Sequence, residues 1–150
     1  MLISNSSHLF SLIKEQKNLK EVQQLFNVTC NDYWHYHYTL ADETTAFEPK
    51  KIGKQMVDNI TINTIVPIVF AYGNYLDDDD YKQKAMNWLQ ALKPEKNNII
   101  QQWELNKIEN KSAFDSQALI HLTNHYCKKK YCLQCAVGNK ALGKDDPISV

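Results

Sequence analysis

Between Ile52 and Gly73 apolar or small side chains return every three or four residues, at Met56, Val57, Ile60, Thr64, Pro67, Ile68 and Phe70. That is the period of an α-helix with one buried stripe. A helix this apolar belongs at the centre of a domain, and the elements packed on it must bring stripes of their own. Its strongest run, around Ile60 to Phe70, is interrupted by Thr61, Asn63, Thr64 and Pro67. It falls short of the roughly 20 residues that a membrane span requires, so a core helix is expected and no membrane contact. Pro67 lacks an N–H and leaves the Asn63 carbonyl without its intrahelical donor, which predicts a kink or break near the middle. Asn59 and Asn63, one turn apart, are placed to satisfy backbone groups freed there. Gly73 reads as the terminator.

The rest of the chain repeats the helical period. Leu9, Phe10, Leu12, Ile13, Leu19, Val22, Leu25 and Phe26 predict one bent helix or two short ones, with Ser6 or Ser7 capping the start and Asn18 paired with Glu21 capping a second. Asp77 to Asp80 lack the alternating ligands, central Gly and terminal Glu of a calcium loop; they suit the positive end of a helix carrying Tyr81, Ala85, Trp88, Leu89 and Leu92. Pro94 suits the first turn of a helix with Ile99, Ile100 and Trp103. Ser112 and Asp115 form a variant capping box before Phe114, Ala118, Leu119, Leu122 and Tyr126. Residues 132–142 suit one last helix, and the tail GKDDPISV should fray. The aromatic block NVTCNDYWHYHYTL is partly alternating and allows a minor strand or an extended arm, followed by a polar connection from Ala41 to Lys50. The expected fold is all-α: a compact bundle of about five to seven helices forming a single domain over residues 1–150.

Composition removes several classes. With 43% hydrophobic and 23% charged residues, the chain is neither collagen-like, mucin-like nor strongly disordered. Seventeen basic residues balance seventeen acidic ones, and every basic residue is Lys. Without Arg there is no planar fork to read guanine edges, which argues against sequence-specific DNA binding. No metalloprotease helix, phosphate-binding loop, dinucleotide fingerprint or serine elbow occurs. The opening MLISNSSHLF lacks the features of a signal peptide, and four cysteines with three crowded near the C-terminus do not make a distributed disulfide framework. A reduced, cytoplasmic protein is the expectation.

Two clusters could carry chemistry. In His125-x-Cys127-x4-Cys132-x2-Cys135, the Cys132 and Cys135 spacing lets two thiolates reach one metal, and Cys127 with His125, or with Cys30, would complete four zinc ligands. His121 stands one turn before His125. Reduced packing thiols and redox chemistry are the competing readings. The second cluster, Tyr33-Trp34-His35-Tyr36-His37-Tyr38, suits packing, docking against another domain, or stacking on a ligand. Glu104, Glu109, Asp115 and Asp58 do not assemble a catalytic carboxylate pair by spacing, and no catalytic residue is assigned.

Three blocks, YWHYHY from Tyr33, GKQMVDNITINTIVPIVFAYG from Gly53 and SAFDSQALIHLTNHYCKKKYCLQCAVG from Ser112, together resemble the C-terminal region of a bacterial family, mainly of Bacteroidetes, catalogued as domain of unknown function 2851. The resemblance implies a chain that is the C-terminal part of a longer protein whose upstream domain is nuclease-like. It implies no activity and no catalytic residue, and it maps the family's terminal thiols onto Cys127, Cys132 and Cys135, leaving Cys30 incidental. The functional expectation is a helical accessory or interaction domain supporting that upstream domain. The alternative is a metal- or thiol-dependent enzyme domain built on the Cys/His cluster. The expected partner is the upstream domain, with a homodimer open and nucleic acid reached only indirectly; the cofactor is either none or one structural zinc.

Overall fold

The structure is a computed structural model that describes residues 8–142. The expected Ser6 or Ser7 cap and the tail from Gly143 lie outside the described residues. By its internal contacts the chain divides into two units, Met1–Leu89 and Gln90–Val150.

The first unit begins with two short helices, α1 (Leu9–Glu15) and α2 (Leu19–Gln24). The break between them is the predicted capping box. Glu21 N donates to Asn18 Oδ1 at 3.1 Å, while Lys17 N and Asn18 N donate to the Glu21 carboxylate. Those donors, the Lys17 amide first, hold the Glu21 carboxyl below its ordinary range. Helix α3 (Asp32–Tyr36) follows, then the long helix α4 (Lys54–Leu76) and α5 (Asp79–Ala91). Ile13, Val22, Phe26, Val57, Ile62, Ile65, Val66, Val69, Ala85 and Trp88 are buried.

Helix α4 neither breaks nor stops at Pro67. The segment Thr61–Ile65 is π-helical, and Val66 N donates to Thr61 O, so one residue is absorbed into the ladder just ahead of the residue that cannot donate. The Asn pair does the backbone work expected of it, Asn63 Nδ2 donating to Asn59 O at 3.0 Å. Buried Thr61 donates to Val57 O at 2.8 Å. The helix is 23 residues long and apolar enough to cross a membrane by length and composition, longer than the interrupted run suggested. Its buried residues Val57, Thr61, Ile62, Ile65, Val66, Val69 and Gly73 nevertheless follow one helical stripe, as in a core helix, but not the expected one: Met56, Thr64, Pro67 and Ile68 are exposed, and of the expected set only Val57 is buried.

Gly73 is not the terminator. The helix runs on to Leu76 and ends at Asp77, which takes the left-handed conformation with φ 53°. Asp78 N donates to Gly73 O at 2.9 Å and Asp77 N to Asn74 O at 3.3 Å, a Schellman pair closed by Asp instead of Gly. Gly73 is needed for packing: a Cβ there would stand 2.9 Å from both Asp78 O and Lys82 N, which are backbone atoms. The acidic run caps α5 as expected. Asp78 Oδ1 accepts from Asp80 N at 2.9 Å, and Lys82 pairs with Asp79 at 2.6 Å. Lys84 crosses from α5 to the end of α1, donating to Lys14 O at 2.8 Å, and burial pushes its pKa down.

In the second unit, α6 (Asn98–Leu105) starts not at Pro94 but at Asn97, whose side chain accepts from Ile100 N at 3.0 Å. An Asx acceptor satisfies a free helical N–H, which proline three positions earlier cannot do. Helix α7 (Ala113–Leu122) starts on the predicted Ser112/Asp115 capping box and continues into a π-helical turn, Thr123–Cys127. Buried Ser116 ties down the two loops that flank α6, accepting from Glu95 N at 3.0 Å and donating to Asn110 Oδ1 at 2.9 Å. The expected single last helix is divided. A 3-10 turn, Cys132–Gln134, precedes α8 (Ala136–Ala141), because Cys135 is extended at φ −110°, ψ 125°.

The fold is all-α, as expected. Among the described residues, β-pairing is confined to two isolated bridges, Thr29 with Lys51 and His37 with Glu43. In the aromatic block, expected to allow a strand or extended arm, residues Asp32–Tyr36 form α3, and extended pairing is limited to the single bridges at Thr29 and His37 on either side of it.

Candidate functional site

Cys127, Cys132 and Cys135 share a cavity wall without standing together as a ligand group. They line a cavity of about 120 Å³ in the second unit, walled by Trp103, Leu122, Tyr126, Val137 and Gly138. Each arrives from a different element. Cys127 closes the π turn of α7, Cys132 opens the 3-10 turn, and Cys135 is the residue before α8. Trp103 of α6 is fixed by its indole N–H, which donates to Thr123 Oγ1 at 2.8 Å. Cys135 is buried, while Cys127 and Cys132 are exposed. The apolar wall still pushes the Cys127 thiol pKa up, and Cys135 and Cys132 push it the same way.

His125 does not join them. It is exposed and stacks on His121 with ring centroids 4.3 Å apart and planes 22° apart, and it is not part of the cavity wall. Cys30 belongs to the first unit. Among the described residues no three His, Cys, Asp or Glu side chains stand together as a ready metal-ligand group. The expected set of Cys127, Cys132, Cys135 and His125 is therefore resolved into three thiols around a shared apolar cavity and a histidine stacked elsewhere.

The tightness of this corner rests on a residue the sequence reading passed over. Gly138 lies where a Cβ would stand 2.4 Å from Cys132 O and 3.0 Å from Cys132 C and Cα. Only a glycine lets α8 approach the Cys132 backbone so closely. Its position three residues after Cys135 was the available signal. Trp103 and Cys127 also line a wider cleft of about 390 Å³ together with Asn98, Gln102, Asn106 and Thr123.

The aromatic block forms a second candidate site in the first unit. The loop's ends are tied by Cys30 N donating to Lys50 O at 3.0 Å. Inside it, His35 is buried, and its Nδ1 accepts from Lys50 N at 3.2 Å, which requires the proton on Nε2. His37 takes the opposite tautomer, since its Nδ1 lies 2.8 Å from Tyr33 O and must donate. Tyr33 stacks on His37 at 3.9 Å, and its hydroxyl donates to Leu40 O at 3.0 Å. Lys50 sits 3.1 Å from the centre of the Tyr38 ring while donating to His37 O. Tyr38 also donates to Glu48, which pushes the phenol pKa up. Tyr38, Leu40 and Phe47 remain 63%, 80% and 58% exposed on this braced loop.

A family described as protein of unknown function (DUF2851) matches residues 1–98. The match takes in the aromatic loop and α4 and stops before Cys127, Cys132 and Cys135, so the block from Ser112 lies beyond it. No curated protein and no solved structure matches the chain.

Proposed function

The chain belongs to the DUF2851 family, and on that premise we propose that it is a helical accessory unit that docks on a partner domain through the 30–50 loop. The observation that carries this reading is the state of that loop. Exposed apolar side chains are held in one conformation by backbone, imidazole and cation–π contacts before any partner arrives. Ordering a loop in advance removes part of the entropy cost of association, and Tyr and Phe are the side chains that most often anchor an interface. The partner is the upstream nuclease-like domain that the family resemblance implies, in a reducing cytoplasm where four free thiols persist.

The test is calorimetric titration of this chain with the separately produced upstream domain, comparing the wild type with Tyr38→Ala and Leu40→Ala. Exposed positions should cost the fold no more than about 0.5 kcal/mol. As interface anchors they should cost about 2 kcal/mol or more, roughly 30-fold in Kd. Absence of binding, or binding indifferent to both substitutions, refutes the proposal.

A further inference from the structure

We propose that the turn at Lys128, Lys129 and Lys130, with the exposed apolar residues that follow it, is a docking surface for an anionic phospholipid membrane. The inference stands apart from the docking role of the 30–50 loop, since it concerns the other unit of the chain.

Charge singles this segment out. The chain as a whole is neutral, yet no Asp or Glu occurs between Asp115 and Asp145, while Lys128, Lys129, Lys130, Lys140 and Lys144 all do. Every residue from Cys127 to Gln134 is exposed. Among the described residues the lysines in ion pairs are Lys82 and Lys111, so the charge of this turn is not neutralised within the protein. Its backbone is fixed. Lys128 N donates to Thr123 O at 2.9 Å, Lys130 N to Cys127 O at 3.0 Å and Tyr131 N to Tyr126 O at 3.0 Å, with Lys130 in the left-handed region at φ 58°. Three consecutive ammonium groups are thereby anchored on one hydrogen-bonded turn, where they repel one another until an anionic surface meets them.

Side-chain type then decides between anionic partners. Tyr131, Leu133, Val137 and Leu142 follow the lysines and are exposed. A nucleic acid offers phosphates to the lysines and a stacking face to Tyr131, but leaves the aliphatic side chains in water. A bilayer surface takes all of them. Its anionic headgroups attract the lysines, Tyr sits at headgroup level, and aliphatic side chains enter the boundary with the acyl chains. Such contact is peripheral and involves no spanning segment, so it is separate from the span that the interrupted run of α4 argued against.

The test is co-sedimentation of the reduced full chain with vesicles of phosphatidylcholine alone and with vesicles that also contain phosphatidylglycerol. The wild type should bind the anionic vesicles and not the neutral ones. Raising the salt from about 0.1 M to about 1 M shortens the screening length from about 10 Å to about 3 Å and should release it. Each lysine near an anionic surface is worth about fivefold in affinity, so Lys128→Gln, Lys129→Gln and Lys130→Gln combined should weaken binding about 100-fold. Tyr131→Ala with Leu133→Ala should weaken it about tenfold or more. The comparison of vesicles needs no variant to fold. Failure to bind anionic vesicles, or equal binding to neutral ones, overturns the proposal. So does capture of a single-stranded oligonucleotide in place of the anionic vesicles. Binding that survives the loss of all three lysines refutes their role, and binding indifferent to Tyr131 and Leu133 refutes the apolar half of the surface.

Discussion

Replacing Gly138 by Ala sets two effects of opposite sign against each other at one position. In a solvent-facing helix interior the change stabilises by about 1 kcal/mol, because glycine is the poorer helix former. Gly138 is the third residue of α8, so that gain is available. Against it, the new Cβ would stand 2.4 Å from Cys132 O and 3.0 Å from Cys132 C and Cα. These are backbone atoms, and no side-chain rotation relieves the overlap. Restoring ordinary contact requires α8 or the Cys132–Gln134 turn to retreat by about 1 Å, and overpacking of this kind costs about 1–3 kcal/mol. The steric effect therefore matches or outweighs the gain, for a net loss of up to about 2 kcal/mol and a fall in Tm of up to about 8 °C. Differential scanning calorimetry of the purified chain measures this directly. A raised Tm would mean that α8 does not press on the Cys132 backbone and would refute the reasoning.

Three further perturbations test separate parts of the structure. Ser112→Ala removes the hydroxyl that accepts from Asp115 N at the buried start of α7, and should cost about 1 kcal/mol in chemical denaturation. An unchanged midpoint would show that the capping box contributes nothing. Asp115 supplies a pH signature, its carboxyl being held below the ordinary value by the Lys111 amide first and then by Ser112. A folded-state pKa below the unfolded one gives stability that is fully present above about pH 3.9 and lost as pH falls through the folded value. The Tm gap between wild type and Asp115→Asn should thus be constant near neutrality and shrink in that acid window; a gap that persists to pH 2 contradicts it. His35→Ala removes the acceptor of the Lys50 amide and the ring against Phe47, with a cost of roughly 1–3 kcal/mol. Faster hydrogen exchange at Lys50 and easier proteolysis of the 38–48 segment should report it, and unchanged exchange at that amide would refute the bracing role of His35.

What was legible in the chain shares one property: cause and effect lie within about one helical turn. The Asn18/Glu21 and Ser112/Asp115 caps, the acidic start of α5 and the Asn63 bond to the Asn59 carbonyl all depend on neighbours three or four residues away. The helical period of α4 was equally plain, but its buried face was not: of the expected stripe only Val57 is buried, while Met56, Thr64, Pro67 and Ile68 are exposed, because which face of an apolar helix is covered depends on the elements that pack on it. The alternation of the aromatic block misled because no strand runs beside it to complete a ladder. With its ends pinned through Lys50, the segment satisfied its backbone as the short helix Asp32–Tyr36.

By itself, then, the sequence determined an all-α chain, the starts of α2, α5 and α7, and three cysteines crowded near the C-terminus. Tertiary structure decided the rest, because those outcomes depend on which atoms meet across elements. Gly73 and Gly138 are the same residue type, one expected to end a helix and the other unremarked. Each proves to be a point of close backbone approach, to Asp78 and Lys82 in one case and to Cys132 in the other. His125 lies two residues from Cys127, but α7 ends in a π turn that stacks His125 on His121 while Cys127 lines the cavity. Spacing along a chain bounds which groups can meet; the turn geometry and the packing of neighbouring elements settle which of them do.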